Sequence, residues 1–177
     1  MSLVSYDPPA RFVAGTVGPP GQRTFYLQVV GAGARSTVAC EKFQVELLAD
    51  RINDLLDATA TRVQPPPEAD NGPLDTPFEE DFRVGTMTLE WDAERALVHL
   101  HCHDRDPEAA GDVEAARAEG LPDEMQTVHI VFPPLIAQEF ARRCRALVSA
   151  GRPPCPFCGG PLDPVGHICP RANGYRR

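Results

Sequence analysis

Apolar positions along the chain predict three strands and a helix in the first sixty residues. "RFVAGTVG" (11–18) and "RTFYLQVVG" (23–31) are rich in β-branched and aromatic residues and are joined by the turn sequence "PPGQ", which is typical of a β-hairpin. "RSTVACEKF" continues as a third strand. The next segment, 41–60, has apolar residues at helical spacing and a charged opposite face. Those apolar residues are Phe43, Leu47, Leu48, Ile52, Leu55 and Leu56.

The same order of elements returns after a proline-rich loop at 61–80. "DFRVGTMTLEWD" and "RALVHLHCHD" predict two strands, and "EMQTVHIVF" predicts a third. "PPLIAQEFARRCRALVSAG" predicts a helix that begins at proline and ends at glycine. We interpret the acidic stretch at 105–123, which precedes the third strand, as a mobile insertion.

This repetition predicts an α+β fold in which two βββα halves form one antiparallel sheet with both helices on one face. "RFVAGTVG" resembles "DFRVGTMT", which suggests an internal duplication. We expect residues 1–150 to form the α+β domain, with halves 1–60 and 81–150, and residues 151–177 to form a separate tail.

Composition places the protein among globular domains and against a membrane role. Of the 177 residues, 42% are hydrophobic and 24% are charged, which is ordinary for a folded domain. No apolar run approaches the ~20 residues needed to span a bilayer, and the N-terminal sequence does not resemble a secretory signal. We therefore expect a cytoplasmic protein with reduced thiols, in which clustered cysteines bind a metal rather than form disulfides.

The tail has the strongest chemical signature of the chain, "CPFCGGPLDPVGHIC". Cys155 and Cys158 are spaced as in a zinc knuckle, and the two glycines that follow let the backbone fold back. His167 and Cys169 are separated by one residue, so in an extended segment their side chains point to the same side. The sequence predicts that these four residues bind Zn²⁺. Because four ligands fill a tetrahedron, we expect the ion to be structural.

Two other interpretations of the tail stay open at this point. "CPFC" resembles the glutaredoxin active-site tetrapeptide, but "GGPLDP" follows it and cannot form the helix that such redox chemistry uses. A catalytic zinc would need an open position and a nearby base, for which Asp163 is a candidate. An aspartate in an "LDP" turn more often accepts hydrogen bonds from backbone N–H groups.

"HLHCHD" places a second group of possible metal ligands on one face of a strand. His99, His101 and His103 alternate with apolar residues, and His129 on a neighbouring strand could join them. Alternating polar residues are also what a half-exposed strand presents, and we favour that interpretation. Cys40, Cys102 and Cys144 are interpreted as small buried apolar residues.

Charge is distributed unevenly along the acidic chain, whose net charge is −8. Residues 141–177 hold seven of the 17 basic residues and one of the 25 acidic residues. Such a basic tail can dock on an acidic surface or a polyanion. "RANGYRR" places Tyr175 among arginines, a combination that suits single-stranded nucleic acid, although one aromatic residue and an acidic chain argue against that as the main role.

Four segments together resemble an uncharacterised actinobacterial family known only as a domain of unknown function. They are "RFVAGTVGPPGQRTFYLQ", "EKFQVELLADRINDLLD", "FRVGTMTLEWD" and "GRPPCPFCGGPLDPVGHICPRANGYRR". The resemblance implies that "CPFCG…GHICP" is the shared motif, which corresponds to Cys155, Cys158, His167 and Cys169, and that "HLHCHD" lies outside it. It also implies gene neighbours that encode a phosphomutase-like protein of the histidine-phosphatase type and a protein resembling phosphoinositide 3/4-kinases.

The sequence therefore predicts a zinc-stabilised cytoplasmic binding or adaptor protein whose tail docks a protein partner, possible partners being the phosphomutase-like and kinase-like neighbours. One alternative is a metal-dependent hydrolase that uses the strand histidines or an open tail zinc. Another is a nucleic-acid-binding zinc knuckle. No catalytic residue is assigned.

Overall fold

The computed structural model describes residues 2–19, 21–61, 69–109, 120, 122, 124–151, 155–160, 162 and 167–171. It contains eight strands, two α-helices and one 3₁₀ turn in this part of the chain. The strands are β1 Ser2–Tyr6, β2 Arg11–Val17, β3 Thr24–Gly31, β4 Ala34–Cys40, β5 Phe82–Arg83, β6 Thr86–Asp92, β7 Leu97–His103 and β8 Gln126–Phe132. The helices are α1 Lys42–Ala58 and α2 Pro134–Ser149, and the 3₁₀ turn is Pro107–Ala109.

The strands form two four-stranded sheets. Sheet 1 has the order β1-β8-β7-β6, and sheet 2 has the order β2-β3-β4-β5. Each sheet contains two antiparallel pairs and one parallel pair, which is β1–β8 in sheet 1 and β4–β5 in sheet 2. The α+β class is confirmed. Four strands rather than the predicted three precede each helix, because β1 was not predicted and the segment 81–92 forms two strands, β5 and β6. The prediction of one antiparallel sheet is wrong. The single-sheet prediction fails because the segment 81–92 belongs to both sheets: Val84 N–H donates to Ala39 O of sheet 2, and Gly85 N–H donates to His103 O of sheet 1.

The two halves exchange their first strands. β1 is the first strand of the first half but pairs with β8 of the second half, and β5 is the first strand of the second half but pairs with β4 of the first. Tyr6 pairs with Ile130, which lies two residues before the end of β8. Phe82 pairs with Val38, which lies two residues before the end of β4. Tyr6 and Phe82 therefore occupy equivalent positions in the two sheets. The short sequence similarity instead aligned Phe12 with Phe82.

One continuous core takes alternate residues from both sheets and the inward faces of both helices. In α1 Leu48, Ile52 and Leu56 are buried, as the helical period predicts, and Val45, which the predicted period did not include, is buried too. Phe43 and Leu47 are nevertheless 64% and 52% exposed. They lie on the side of α1 that faces β6, and with Met87 and Leu89 they line a surface groove of about 660 Å³.

The segment 69–81 crosses sheet 2 before it becomes β5. Gln28 of β3 accepts a hydrogen bond from Asp75 N–H and donates one to Asp75 O, and Leu74 lies against Gly15, where even a Cβ atom would lie 2.5 Å from Leu74 Cγ. Arg143 of α2 is buried and donates to the carbonyl oxygens of residues 14, 70 and 72. This segment therefore ties α2 to sheet 2. No helix in the described residues combines the length and apolarity that crossing a membrane requires.

Candidate metal centre

The first two cysteines of the tail lie in a tight backbone turn. Cys155 N–H donates to Gly160 O at 2.7 Å, and Gly159 N–H donates to Cys155 O at 2.8 Å. Gly159 has a φ of +73°, a conformation that glycine adopts without steric cost. The turn brings the sulfur of Cys155 close to the backbone N–H groups of Phe157 and Cys158. The local sequence thus folds into the knuckle that its glycines predicted.

The second pair of predicted ligands comes from an extended segment. Ile168 makes an isolated β-bridge and is 68% exposed, whereas Cys169 beside it is buried. Because side chains alternate in an extended segment, His167 and Cys169 turn to the same side, away from Ile168. Arg171 donates to Phe157 O at 3.3 Å and so connects this segment to the knuckle.

The four predicted residues converge. Their donor atoms all lie within 4.8 Å of one another, and they form the one group of three or more Cys, His, Asp or Glu donors with this property in the described part of the chain. Cys155 Sγ lies 3.8 Å from Cys169 Sγ, and Cys158 Sγ lies 3.3 Å from His167 Nε2. The four residues that the spacing singled out therefore lie together, and their role as metal ligands stays a prediction.

These separations fit a single tetrahedral ion. Two sulfurs that bind one zinc ion at about 2.3 Å lie about 3.8 Å apart, and a sulfur and an imidazole nitrogen lie about 3.6 Å apart. The Cys155–Cys169 distance matches the first value, and the Cys158–His167 distance is close to the second. Three thiols and one imidazole are also ligands that suit Zn²⁺.

The pKa values of the two knuckle thiols, Cys155 and Cys158, are shifted in opposite directions. Burial raises the pKa of Cys155, but N–H groups of Cys158 and Phe157, with the thiols of Cys158 and Cys169, outweigh it and leave the pKa below its usual value. For Cys158 the N–H of Gly160 lowers the pKa, whereas burial and hydrogen bonds to Cys155 and Cys169 raise it, and the net pKa is above the usual value. Cys155 is therefore more readily ionised than Cys158, and the thiolate is the form that binds metal.

His167 offers one ring nitrogen to the cluster. Its Nε2 faces Cys158, while its Nδ1 is buried and has no hydrogen-bond partner among the described residues. A neutral imidazole with its proton on Nδ1 presents the Nε2 lone pair to a cation. The donor set can thus hold a divalent ion without an additional protein ligand.

The described residues bear on the redox interpretation of the tail but not on those that involve Asp163 or Tyr175. Cys155 to Cys158 form a turn that ends at Gly159 rather than a helix N-terminus, which does not suit redox chemistry. All six cysteines are free. Asp163, the candidate base, and Tyr175 of the basic tail lie outside the described residues.

The histidines of β7 lie on the outer face of sheet 1, as the alternation predicts. His101 pairs in register with His129 of β8, and their rings stack at 4.1 Å between centroids and 2° between planes. His99 Nδ1 lies 3.1 Å from His129 Nε2. His103 is buried and its ring nitrogens face Thr127 and Thr88. His99 and His101 are half-buried, as the prediction of a half-exposed strand requires, whereas His103 is buried.

The remaining three cysteines are core residues, as predicted. Cys40, Cys102 and Cys144 are all buried, and burial is the largest cause of the rise in each thiol pKa, to about 12 for Cys40. Such thiols stay protonated at neutral pH and do not react readily.

Fold and site together define a mixed α+β protein with a C-terminal three-cysteine, one-histidine cluster that can hold a metal ion. The chain belongs to the DUF3090 family, described as "Protein of unknown function", whose model matches residues 4–169. The match includes both halves of the fold and all four cluster residues. Comparison with curated proteins and with solved structures gives no match.

Proposed function

We propose that this protein is a cytoplasmic binding or adaptor protein in which a structural Zn²⁺ orders the C-terminal tail and the tail docks a protein partner. The observation that carries the proposal is the cluster of Cys155, Cys158, His167 and Cys169, whose donor atoms lie within 4.8 Å of one another. Four such ligands complete a tetrahedron, so they leave no position for water or substrate. The ion would then supply order rather than reactivity.

The low burial of the described tail residues supports such an ion, because only Cys155 and Cys169 are buried among them. Cys155 and Cys169 are buried, but neither belongs to the core that the two sheets and two helices share. Metal binding contributes about 10–16 kcal/mol to small zinc domains, enough to order a segment of this length. The cluster therefore replaces a hydrophobic core in the tail.

Exposed apolar residues beside the cluster support a docking role. Ile168 lies between the two ligands of the second pair and is 68% exposed, and Phe157 in the knuckle is 42% exposed. A metal-bound turn holds such side chains rigidly, which lowers the entropic cost of inserting them into a partner. The arginines of the tail would favour an acidic partner surface.

Metal content tests the structural assignment. We expect the purified protein to retain one tightly held zinc ion per chain, and Cys158→Ala to lose it. Cys40→Ala is the matched control, because it removes the same atoms from the core and should retain the ion. Cobalt substituted into the cluster should give a four-coordinate spectrum with thiolate charge-transfer bands. A five-coordinate spectrum, or one that changes on addition of small anions, would contradict a closed structural site.

Partner capture tests the docking role. Purified phosphomutase-like and kinase-like proteins encoded beside the gene are the first candidates, since resemblance to the family implies them. We expect Ile168→Ser to reduce binding at least tenfold while zinc content is unchanged. Leu135→Ser, on an exposed apolar residue of α2, is the control and should bind normally. Equal binding by both variants would show that the tail does not form the interface.

A further inference from the structure

We propose that His99 and His129, on the outer face of sheet 1, form a second divalent-metal site that takes a borderline cation such as Zn²⁺, Co²⁺ or Ni²⁺ between His99 Nδ1 and His129 Nε2. The site is separate from the cysteine cluster and comes from different elements, β7 and β8. It does not rest on the adaptor role.

The two nitrogens are spaced as ligands of one ion. His99 Nδ1 and His129 Nε2 lie 3.1 Å apart. Two imidazole nitrogens that bind one zinc ion at 2.0–2.1 Å, with an angle between right and tetrahedral, lie about 2.9–3.4 Å apart. A cation can therefore enter between the rings with only a small adjustment of their planes.

Metal binding at His99 Nδ1 would complete the hydrogen bonding of the other ring nitrogen, Nε2. His99 Nε2 is buried and has no hydrogen-bond partner within the described part of the chain, and Asp92 Oδ2 lies 3.8 Å away. The other carboxylate oxygen, Asp92 Oδ1, accepts N–H groups of Glu94 and Arg95, which fixes the carboxylate. A metal on Nδ1 places the ring proton on Nε2, where it can be donated to Asp92. Histidine ligands of metals typically have such a carboxylate behind them.

His129 has the corresponding support on its own rear nitrogen. Its Nδ1 lies 3.2 Å from Ser5 Oγ of β1, and its ring is stacked flat under His101. With the proton on Nδ1 donated to Ser5, Nε2 presents a lone pair toward His99. The hydroxyl and the stacked ring thus fix both the tautomer and the plane of the second ligand.

The site holds two protein ligands, so it differs from the cysteine cluster in kind. In the described residues no set of three donors lies within 4.8 Å of one another on this face. Water or a bound anion would complete the coordination. The ion should therefore exchange readily, whereas the ion in a closed four-ligand cluster does not.

Cobalt distinguishes the two sites in one experiment. Full-length protein with one zinc ion per chain is titrated with Co²⁺ alone. We expect one further equivalent with d–d bands and no sulfur charge-transfer band, because its protein ligands are imidazoles. In ¹⁵N spectra of the protein titrated with Zn²⁺, His99 Nδ1 and His129 Nε2 should shift most. Failure to take up a second equivalent would overturn this site and leave the cysteine cluster untouched.

The same substitution, histidine to phenylalanine, at two positions distinguishes a proposed metal ligand from a neighbouring residue. His129→Phe removes a proposed ligand and should weaken uptake of the second equivalent at least tenfold. His101→Phe keeps a flat ring over His129 and should bind within about threefold of wild type. Both should retain the zinc of the cysteine cluster. Equal loss in the two variants, or undiminished binding by His129→Phe, would contradict the assignment.

Asp92→Asn tests the positioning role and does not depend on the folding of the histidine variants. The half-buried carboxylate of Asp92 touches no ion in the proposal but accepts a hydrogen bond from the protonated Nε2 of His99. Loss of such a partner typically costs 10–100-fold in metal affinity, so we expect a drop of about tenfold or more with the same ¹⁵N shifts at saturation. Unchanged affinity would exclude the carboxylate–histidine–metal arrangement.

Discussion

At the residue scale, Tyr6 connects the two sheets directly. It belongs to β1 in sheet 1, it is buried, and its hydroxyl donates to Ser36 Oγ of β4 in sheet 2 at 2.9 Å. Buried polar groups are expensive when one partner is lost and nearly neutral when both are replaced together.

We therefore expect Tyr6→Phe to lower the free energy of unfolding by about 1–1.5 kcal/mol, because it leaves Ser36 without this partner. Urea unfolding followed by the fluorescence of Trp91 measures the change. The double variant Tyr6→Phe/Ser36→Ala should recover part of the loss. If the two single losses simply add, the hydroxyl pair does not couple the sheets.

At the element scale, the segment 69–81 depends on the buried guanidinium of Arg143. Its fork donates to three carbonyl oxygens on two different segments, an arrangement that lysine cannot reproduce. We expect Arg143→Lys to cost about 2–3 kcal/mol in urea unfolding. Arg145→Lys, on the same helix with an exposed ion pair to Asp50, should change stability by less than about 0.5 kcal/mol. Similar losses in both would refute the role of the fork.

The histidine-bearing strand β7 should make stability depend on pH. Burial, and then the charge of His101, lowers the pKa of His103 below 6.5, against smaller opposite effects of Asp104 and Asp106. The unfolded chain therefore binds the proton first, so this contribution is complete above about pH 6.5 and is lost as pH falls through the folded pKa. Unfolding free energies at pH 7.5, 6.5 and 5.5 should decline more steeply in wild type than in His103→Gln. Parallel curves would contradict this.

Sequence patterns located most elements and singled out the tail cluster, but they did not show how the strands pair. The helical period located α1. The spacing of Cys155, Cys158, His167 and Cys169 indicated a local cluster, whose donor atoms do lie together, and this needed no long-range information. β1 escaped prediction because "SLVSY" is short and exposed except at Tyr6. Asp92 and Ser5, which flank the histidine pair, depend on that pairing and so gave no sequence signal. Phe43 and Leu47 fit the apolar period of α1 but are exposed, since β6 approaches that side of the helix only sparsely.

At the scale of the whole molecule, the core and the metal cluster are distinct sources of order. None of the described tail residues, 155–160, 162 and 167–171, belongs to the shared core. We expect a strong chelator to remove the cluster ion and increase amide exchange at Cys155–Gly160 while the urea midpoint reported by Trp91 stays within about 0.3 M. A large fall in that midpoint would show that the tail supports the body. The domain boundaries at 60, 81 and 150 stay a prediction.

The exchange of first strands has a consequence for a chain cut between residues 61 and 69. The N-terminal piece would carry β1 without its neighbour β8, and the C-terminal piece would carry β5 without β4. Each piece alone would present an open strand edge, which favours aggregation. When the two pieces are mixed, each supplies the strand neighbour that the other lacks. Co-expressed fragments should therefore reassemble into a non-covalent heterodimer with native Trp91 fluorescence. The topology thus allows the protein to serve as a split reporter of fragment association.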